Sequence, residues 1–173
     1  QEIPRNSPIL DDYKFMETDF SGTRPFELAL TARDSNMNFF DVGIMKKVES
    51  VEQYLRDSCG IGYIISPLSL FKGANKAFNG GDNGKFKLPG SPQEVARYYE
   101  GIMQTGFADE MNRYMSSTGN QLRISGRLPN LAVKEFKIIQ EKMDRFLSSK
   151  NFTEAFSYNI TGSAVLLDKI TFS

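Results

Sequence analysis

The chain has 173 residues, carries 21 basic and 21 acidic side chains, and has neither histidine nor tryptophan. Its balanced charge leaves no electrostatic footprint for nucleic acid or an anionic membrane surface. The missing histidine removes the commonest general base and the commonest zinc ligand, and a single cysteine, Cys59, excludes an internal disulfide and a CxxC site.

Residues 1–16 read as an extended lead-in, where Pro4 and Pro8 disfavour helix and Ile9, Leu10, Tyr13 and Phe15 offer anchors to the body. Gln1-Glu2-Ile3-Pro4 has no charged or apolar leader pattern, and no apolar run reaches the roughly 18–20 residues that cross a bilayer. The lead-in ends in a turn, Asp19-Phe20-Ser21-Gly22. Gly22 is expected to take positive φ there, with Phe20 buried at the base of the first strand. From Pro25 the pattern alternates, with Phe26, Leu28 and Leu30 on one side and Glu27, Ala29 and Thr31 on the other. That period of two predicts a half-buried strand.

Asp41 is a candidate N-cap for an amphipathic helix whose stripe is Ile44, Val48, Val51 and Leu55. Gly60 ends it, and Ile61 to Ile65 reads as a second strand. Ser66-Pro67 opens a short helix through about Phe78. The Asn79–Gly84 stretch is rich in glycine but lacks the spacing and Lys-Ser/Thr ending of a P-loop, so it reads as an exposed turn. Ser91-Pro92-Gln93-Glu94 has capping-box spacing ahead of a helix with Val95, Tyr98, Tyr99, Ile102 and Met103. A shorter helical piece carries Met111, Tyr114 and Met115.

Leu122, Ile124, Gly126 and Leu128 alternate with Gln121, Arg123, Ser125 and Arg127 in a third strand. Asn130 then caps a long helix with the stripe Val133, Phe136, Ile139, Met143 and Phe146, ended by Asn151. Phe156, Tyr158 and Ile160 mark the last strand. The order strand, helix, strand, helical insertion, strand, helix, strand predicts an α+β, ferredoxin-like sandwich of four antiparallel strands and two long helices. Its parts are a lead-in and turn (1–24), a first β-α-β half (25–66), the insertion (67–119), a second half (120–162) and a tail (163–173). The abrupt ends, with Ala164-Val165-Leu166-Leu167 and Ile170 beginning an apolar helix, read as those of a piece of a longer protein, with a naturally processed chain as the alternative.

The chemistry is sparse. Asp11, Asp12, Glu17 and Asp19 are not spaced as a helical metal pair, and no cofactor motif is present. Asn151-Phe152-Thr153 and Asn159-Ile160-Thr161 match glycosylation sequons, a pattern common by chance. Cys59 at a helix end has two readings, a thiol of lowered pKa or an incidental one. Without a nucleophile–base pair, nothing is arranged for acid–base or covalent catalysis, and the chain is not read as an enzyme. The insertion holds more apolar side chains than its short helices need, among them Leu70, Tyr98 and Met111. This predicts an apolar cleft between the insertion and the sandwich, lined by Phe71, Phe78, Tyr99 and Met103.

The segment Phe20-Ser21-Gly22-Thr23-Arg24-Pro25-Phe26-Glu27 resembles the phenylalanine–small–glycine turn and strand of the extracytoplasmic domains of resistance-nodulation-division (RND) exporters. The branch with hydrophobe exporters and mycobacterial large membrane proteins is the most similar. Further matches follow in the family's order: Tyr54-Leu55 at a helix end, Ser66-Pro67-Leu68-Ser69-Leu70 after a strand, Leu88-Pro89-Gly90-Ser91 before a helix, the strand Leu122–Arg127, and Thr161-Gly162. Each motif is short, and the likeness lies in their order along nearly the whole chain. The resemblance implies a periplasmic loop of a proton-driven membrane transporter, passing apolar or amphipathic, lipid-like substrates outward. Its partners would be the membrane helices and the other extracytoplasmic loop of the same polypeptide, and further transporter subunits, with the tail 163–173 returning to the membrane. The alternative is a free-standing ferredoxin-like ligand- or protein-binding module.

Overall fold

The alternating residues that follow Pro25 form β1 (Arg24–Ala32), one of the two central strands of a four-stranded sheet. The structure, a computed structural model, describes residues 24–128 and 133–161. After β1 come α1 (Val42–Cys59), β2 (Gly62–Ile65), α2 (Pro67–Phe78), a 3-10 turn (Asn83–Lys85), α3 (Pro92–Met103) and α4 (Ala108–Tyr114). Then follow β3 (Gln121–Leu128), α5 (Val133–Ser149), the single turn α6 (Phe152–Ala155) and β4 (Phe156–Thr161). Strand order is β2-β3-β1-β4 with every neighbouring pair antiparallel. The two β-α-β halves therefore interleave, and the first strand of each lies in the centre. This is the ferredoxin-like α+β sandwich, with α2 to α4 inserted between its halves. The turn at Phe20 and Gly22, the Asn130 cap and the tail 163–173 lie outside the described residues.

Local signals place the helix ends. The Asp41 carboxylate accepts the Ile44 N–H at 3.0 Å at the start of α1. Gly60, at φ 67, closes the other end by donating its N–H to the Leu55 carbonyl, a left-handed geometry that glycine adopts at little cost. Ser91 accepts the Glu94 N–H at 3.2 Å at the start of α3. The Glu94 carboxylate reaches back to the Gly90 N–H at 2.8 Å, one residue short of the cap itself. Asn151, also left-handed at φ 56, follows α5.

Phe26, Leu28 and Leu30 of β1, Leu122, Ile124 and Leu128 of β3, and Phe156 and Ile160 of β4 are buried. They share a core with Met45, Val48, Val51 and Leu55 of α1 and Phe136, Ile139, Met143 and Leu147 of α5. Each such side chain contributes about 1.5–3 kcal/mol by leaving water. Phe146, predicted on the α5 stripe, sits at its margin, stacked on Tyr54 at 4.1 Å. The opposite sheet face is polar, with Glu27 and Arg123 3.9 Å apart across β1 and β3.

The second strand starts one residue later than the sequence suggests. The Ile61 N–H is bonded to the Leu55 carbonyl at 3.0 Å and belongs to the end of α1. β2 is irregular: its register with β3 shifts between Gly62 and Ile65, and Tyr63 has φ 53. Gly126 of β3 makes room for this crossing. A Cβ there would lie 2.5 Å from Ile61 Cγ2 and 3.2 Å from the Gly62 carbonyl oxygen. Gly126→Val is expected to lower stability by about 1–3 kcal/mol through overpacking. Unfolding in urea checks this, and an unchanged midpoint would mean that β2 yields freely at that point.

Candidate functional site

An apolar cleft opens inside the insertion, between α2 and the C-terminal end of α3. On α2, Leu70, Gly73, Ala74 and Ala77 fall at the spacing of one helix face. Of the four, Gly73, Ala74 and Ala77 have side chains too small to fill the space beside α3. The result is a cleft of about 470 Å³ walled by these four residues and by Phe78, Gly101, Ile102 and Phe107, with Ser69 and Thr105 at its margin. A Cβ at Gly73 would have no atom within 4 Å, so the floor is open at that point. Thr105 adds little polarity, because its hydroxyl donates to the Ile102 carbonyl at 2.7 Å and accepts the Phe107 N–H at 3.2 Å.

Two aromatic walls stand exposed, Phe78 at 43% and Phe107 at 60%. Phe78 lies against α3 because residue 101 is glycine. A Cβ at that position would be 2.8 Å from two of its ring carbons. The same ring stacks on Tyr98 at 5.4 Å and carries the Arg97 guanidinium 4.6 Å from its centroid. A volume of this size with mostly apolar walls is in the range of small-molecule sites.

The predicted cleft residues separate. Phe78 lines the cleft, whereas Phe71 is 0% exposed in the core. Tyr99 is half-buried, edge-on to Phe40 at 4.8 Å, and Phe40 is edge-on to Phe71 at 6.5 Å. Met103 is half-buried against the same core. Phe71, Tyr99 and Phe40 thus seal the seam between insertion and sandwich where the sequence suggested an opening. The cleft is formed by residues the sequence reading passed over, chiefly Gly73, Ala77, Gly101 and Phe107. The detectable signal was the Gly73–Ala74–Ala77 spacing within an amphipathic helix.

Buried polar groups hold α2 in place. Asn75, 4% exposed, donates to the Lys87 carbonyl at 2.9 Å and accepts from the Tyr98 hydroxyl at 3.0 Å and the Asn79 amide at 2.9 Å. It thereby links α2 to α3 and to the exposed glycine-rich turn, where Gly80 and Gly81 have φ 73 and 82. At the other end of α2, the Ser66 hydroxyl donates to the Glu52 carboxylate of α1 and accepts the Leu68 N–H at 3.1 Å. Lys72 pairs with Glu49 at 2.7 Å beside this junction. Cys59 is buried, and burial pushes its thiol above the ordinary range, which makes it a poor nucleophile. Among the described residues no group of three or more His, Cys, Asp or Glu side chains could hold a metal, and no helix is long and apolar enough to cross a membrane. Compared with family models, curated proteins and solved structures, the chain finds no match in any of the three.

Burial raises the Glu52 carboxyl above its ordinary 4.5, with the Ser66 hydrogen bond, Lys72 and Arg56 opposing the rise and Glu49 adding to it. A carboxyl raised in the folded state holds its proton to higher pH than in the unfolded chain. Stability therefore falls as pH rises through the window between the two values. Glu52→Gln keeps an acceptor for Ser66 and removes the charge. It is expected to lose this slope and to unfold at higher temperature than wild type above the window, as measured by melting between about pH 4 and 8. Parallel curves for the two proteins would show that folding leaves the Glu52 carboxyl at its ordinary value.

The two aromatic positions separate by truncation. Phe71→Ala is expected to lose about 3–5 kcal/mol, and Phe78→Ala only about 1–2 kcal/mol for its stacking and cation–π contacts. Equal losses in urea unfolding would make Phe78 a core residue.

Proposed function

We propose that this chain is an extracytoplasmic porter domain of a proton-driven RND-type exporter, and that it receives an apolar or amphipathic substrate in the cleft between α2 and α3. The cleft is the observation that carries this reading. A packed insertion serving only to brace the sandwich would fill the face of α2, whereas Gly73, Ala74 and Ala77 leave it open beneath exposed Phe78 and Phe107. Three of the family-like segments bear on this lobe. Ser66-Pro67 starts α2, Leu88-Pro89-Gly90-Ser91 leads into α3, and Leu122–Arg127 is the strand to which the insertion returns. Energy coupling would come from membrane helices elsewhere in the parent polypeptide, with that polypeptide's other extracytoplasmic loop and further subunits as partners.

Gly73→Leu tests the reading. Leucine favours helix over glycine by about 0.5–1 kcal/mol and projects into empty space, so the variant is expected to stay folded while its side chain occupies the cleft. Uptake of an environment-sensitive fluorescent lipid by the chain, and export by the full-length transporter, should each fall at least about tenfold, equivalent to 1.4 kcal/mol of binding. A folded Gly73→Leu protein with unchanged uptake and export would remove the cleft from the substrate path.

A further inference from the structure

We propose that Arg97 fixes the ligand class of this cleft as single-chain amphiphiles with an anionic head, the chain lying along α2 and the head resting on the guanidinium. The inference rests on the cleft reading above and goes beyond it by naming the head group. The walls provide a place for a chain but no charged partner for a head, Ser69 at the margin offering only a neutral hydroxyl. Thr105 spends its hydroxyl on backbone groups, and the floor is glycine and alanine. A head must therefore lie outside the walls, and the charges next to them decide its sign.

Arg97 lies against one of the walls, with its guanidinium 4.6 Å from the centre of the Phe78 ring. Among the described residues it forms no ion pair. Glu94 and Glu100 flank it on α3 three residues to either side as charged carboxylates, but neither pairs with it; Glu94 accepts the Gly90 N–H at 2.8 Å and Glu100 the Gln104 amide at 3.4 Å. This cation–π contact places the guanidinium beside the wall, and its N–H groups suit a carboxylate or phosphate in two-point fashion. The second aromatic wall, Phe107, leads directly into the first turn of α4, which carries Asp109 and Glu110, the latter paired with Arg113 at 3.4 Å. Among the described residues no unpaired cation stacks on that wall, so an anionic head is attracted at the Phe78 wall, where Arg97 lies.

Three twelve-carbon probes that share a chain and differ in the head test this with the chain itself, titrated below their micelle concentrations: laurate, dodecyl maltoside and dodecyltrimethylammonium. Wild type is expected to bind laurate about tenfold more tightly than the maltoside, with the cation weakest, and the preference should shrink in high salt. Arg97→Gln should bring laurate down to the maltoside level and leave the maltoside unchanged, and Arg97→Lys should keep part of the preference. Equal binding of laurate and maltoside by wild type, with both lost in Gly73→Leu, would overturn the role of Arg97 while leaving the cleft as the site. Failure of all three probes to bind would overturn both.

Discussion

The fold depends on covering the inner side of β1. That strand pairs with β3 on one edge and β4 on the other, so Phe26, Leu28 and Leu30 sit at the middle of the apolar face. Two helices are needed to exclude water from a face of that width, and α1 and α5 come from opposite halves of the chain. Neither half can satisfy its own central strand, because the partners of β1 residues lie 90 or more positions on in the sequence, from the pairing of Thr31 with Gln121 outward, in β3 and β4. Cooperativity follows from this interleaving: the second half must be in place before the first has a complete core.

The insertion is attached by a different kind of force. Its seam with the sandwich contains the aromatic contacts of Phe40, Phe71 and Tyr99, but its position along that seam is set by the buried Ser66–Glu52 pair, while Asn75 fixes α2 against α3 within the insertion. Apolar contacts tolerate sliding, whereas a buried amide or carboxylate without its partner costs about 1–3 kcal/mol or more. The polar groups therefore define one placement of α2. This matters for the cleft, whose floor is a helix face too smooth to be held by interdigitation on that side.

Much of the sandwich was legible because one rule applied at a time. Alternation in β1 and β3, the Ile44–Leu55 stripe, and caps at Asp41, Ser66 and Ser91 each act within a few residues. The cleft was not legible in the same way. Its walls join Gly73 to Gly101 and Phe78 to Phe107, pairings that exist only after α2 and α3 cross. Aromatic content also misled, since Phe71 and Tyr99 look like cleft residues by type and are placed in the seam by a contact with Phe40. The small side chains were the better signal, because a cleft is defined by what its residues fail to fill. The late start of β2 has a similar cause: Ile61 is strand-like in composition, but its N–H is committed to ending α1.

The irregularity of β2 also governs how the molecule behaves in a crowd of its own copies. A sheet can grow at an edge strand by adding strands from neighbours, and regular edges invite that growth. At one edge here, the left-handed Tyr63 and the register shift beside Gly126 break the row of evenly spaced donors and acceptors after only four residues. An incoming strand would find no continuous ladder to follow. The distortion that costs some local pairing energy thus guards that edge against runaway self-association.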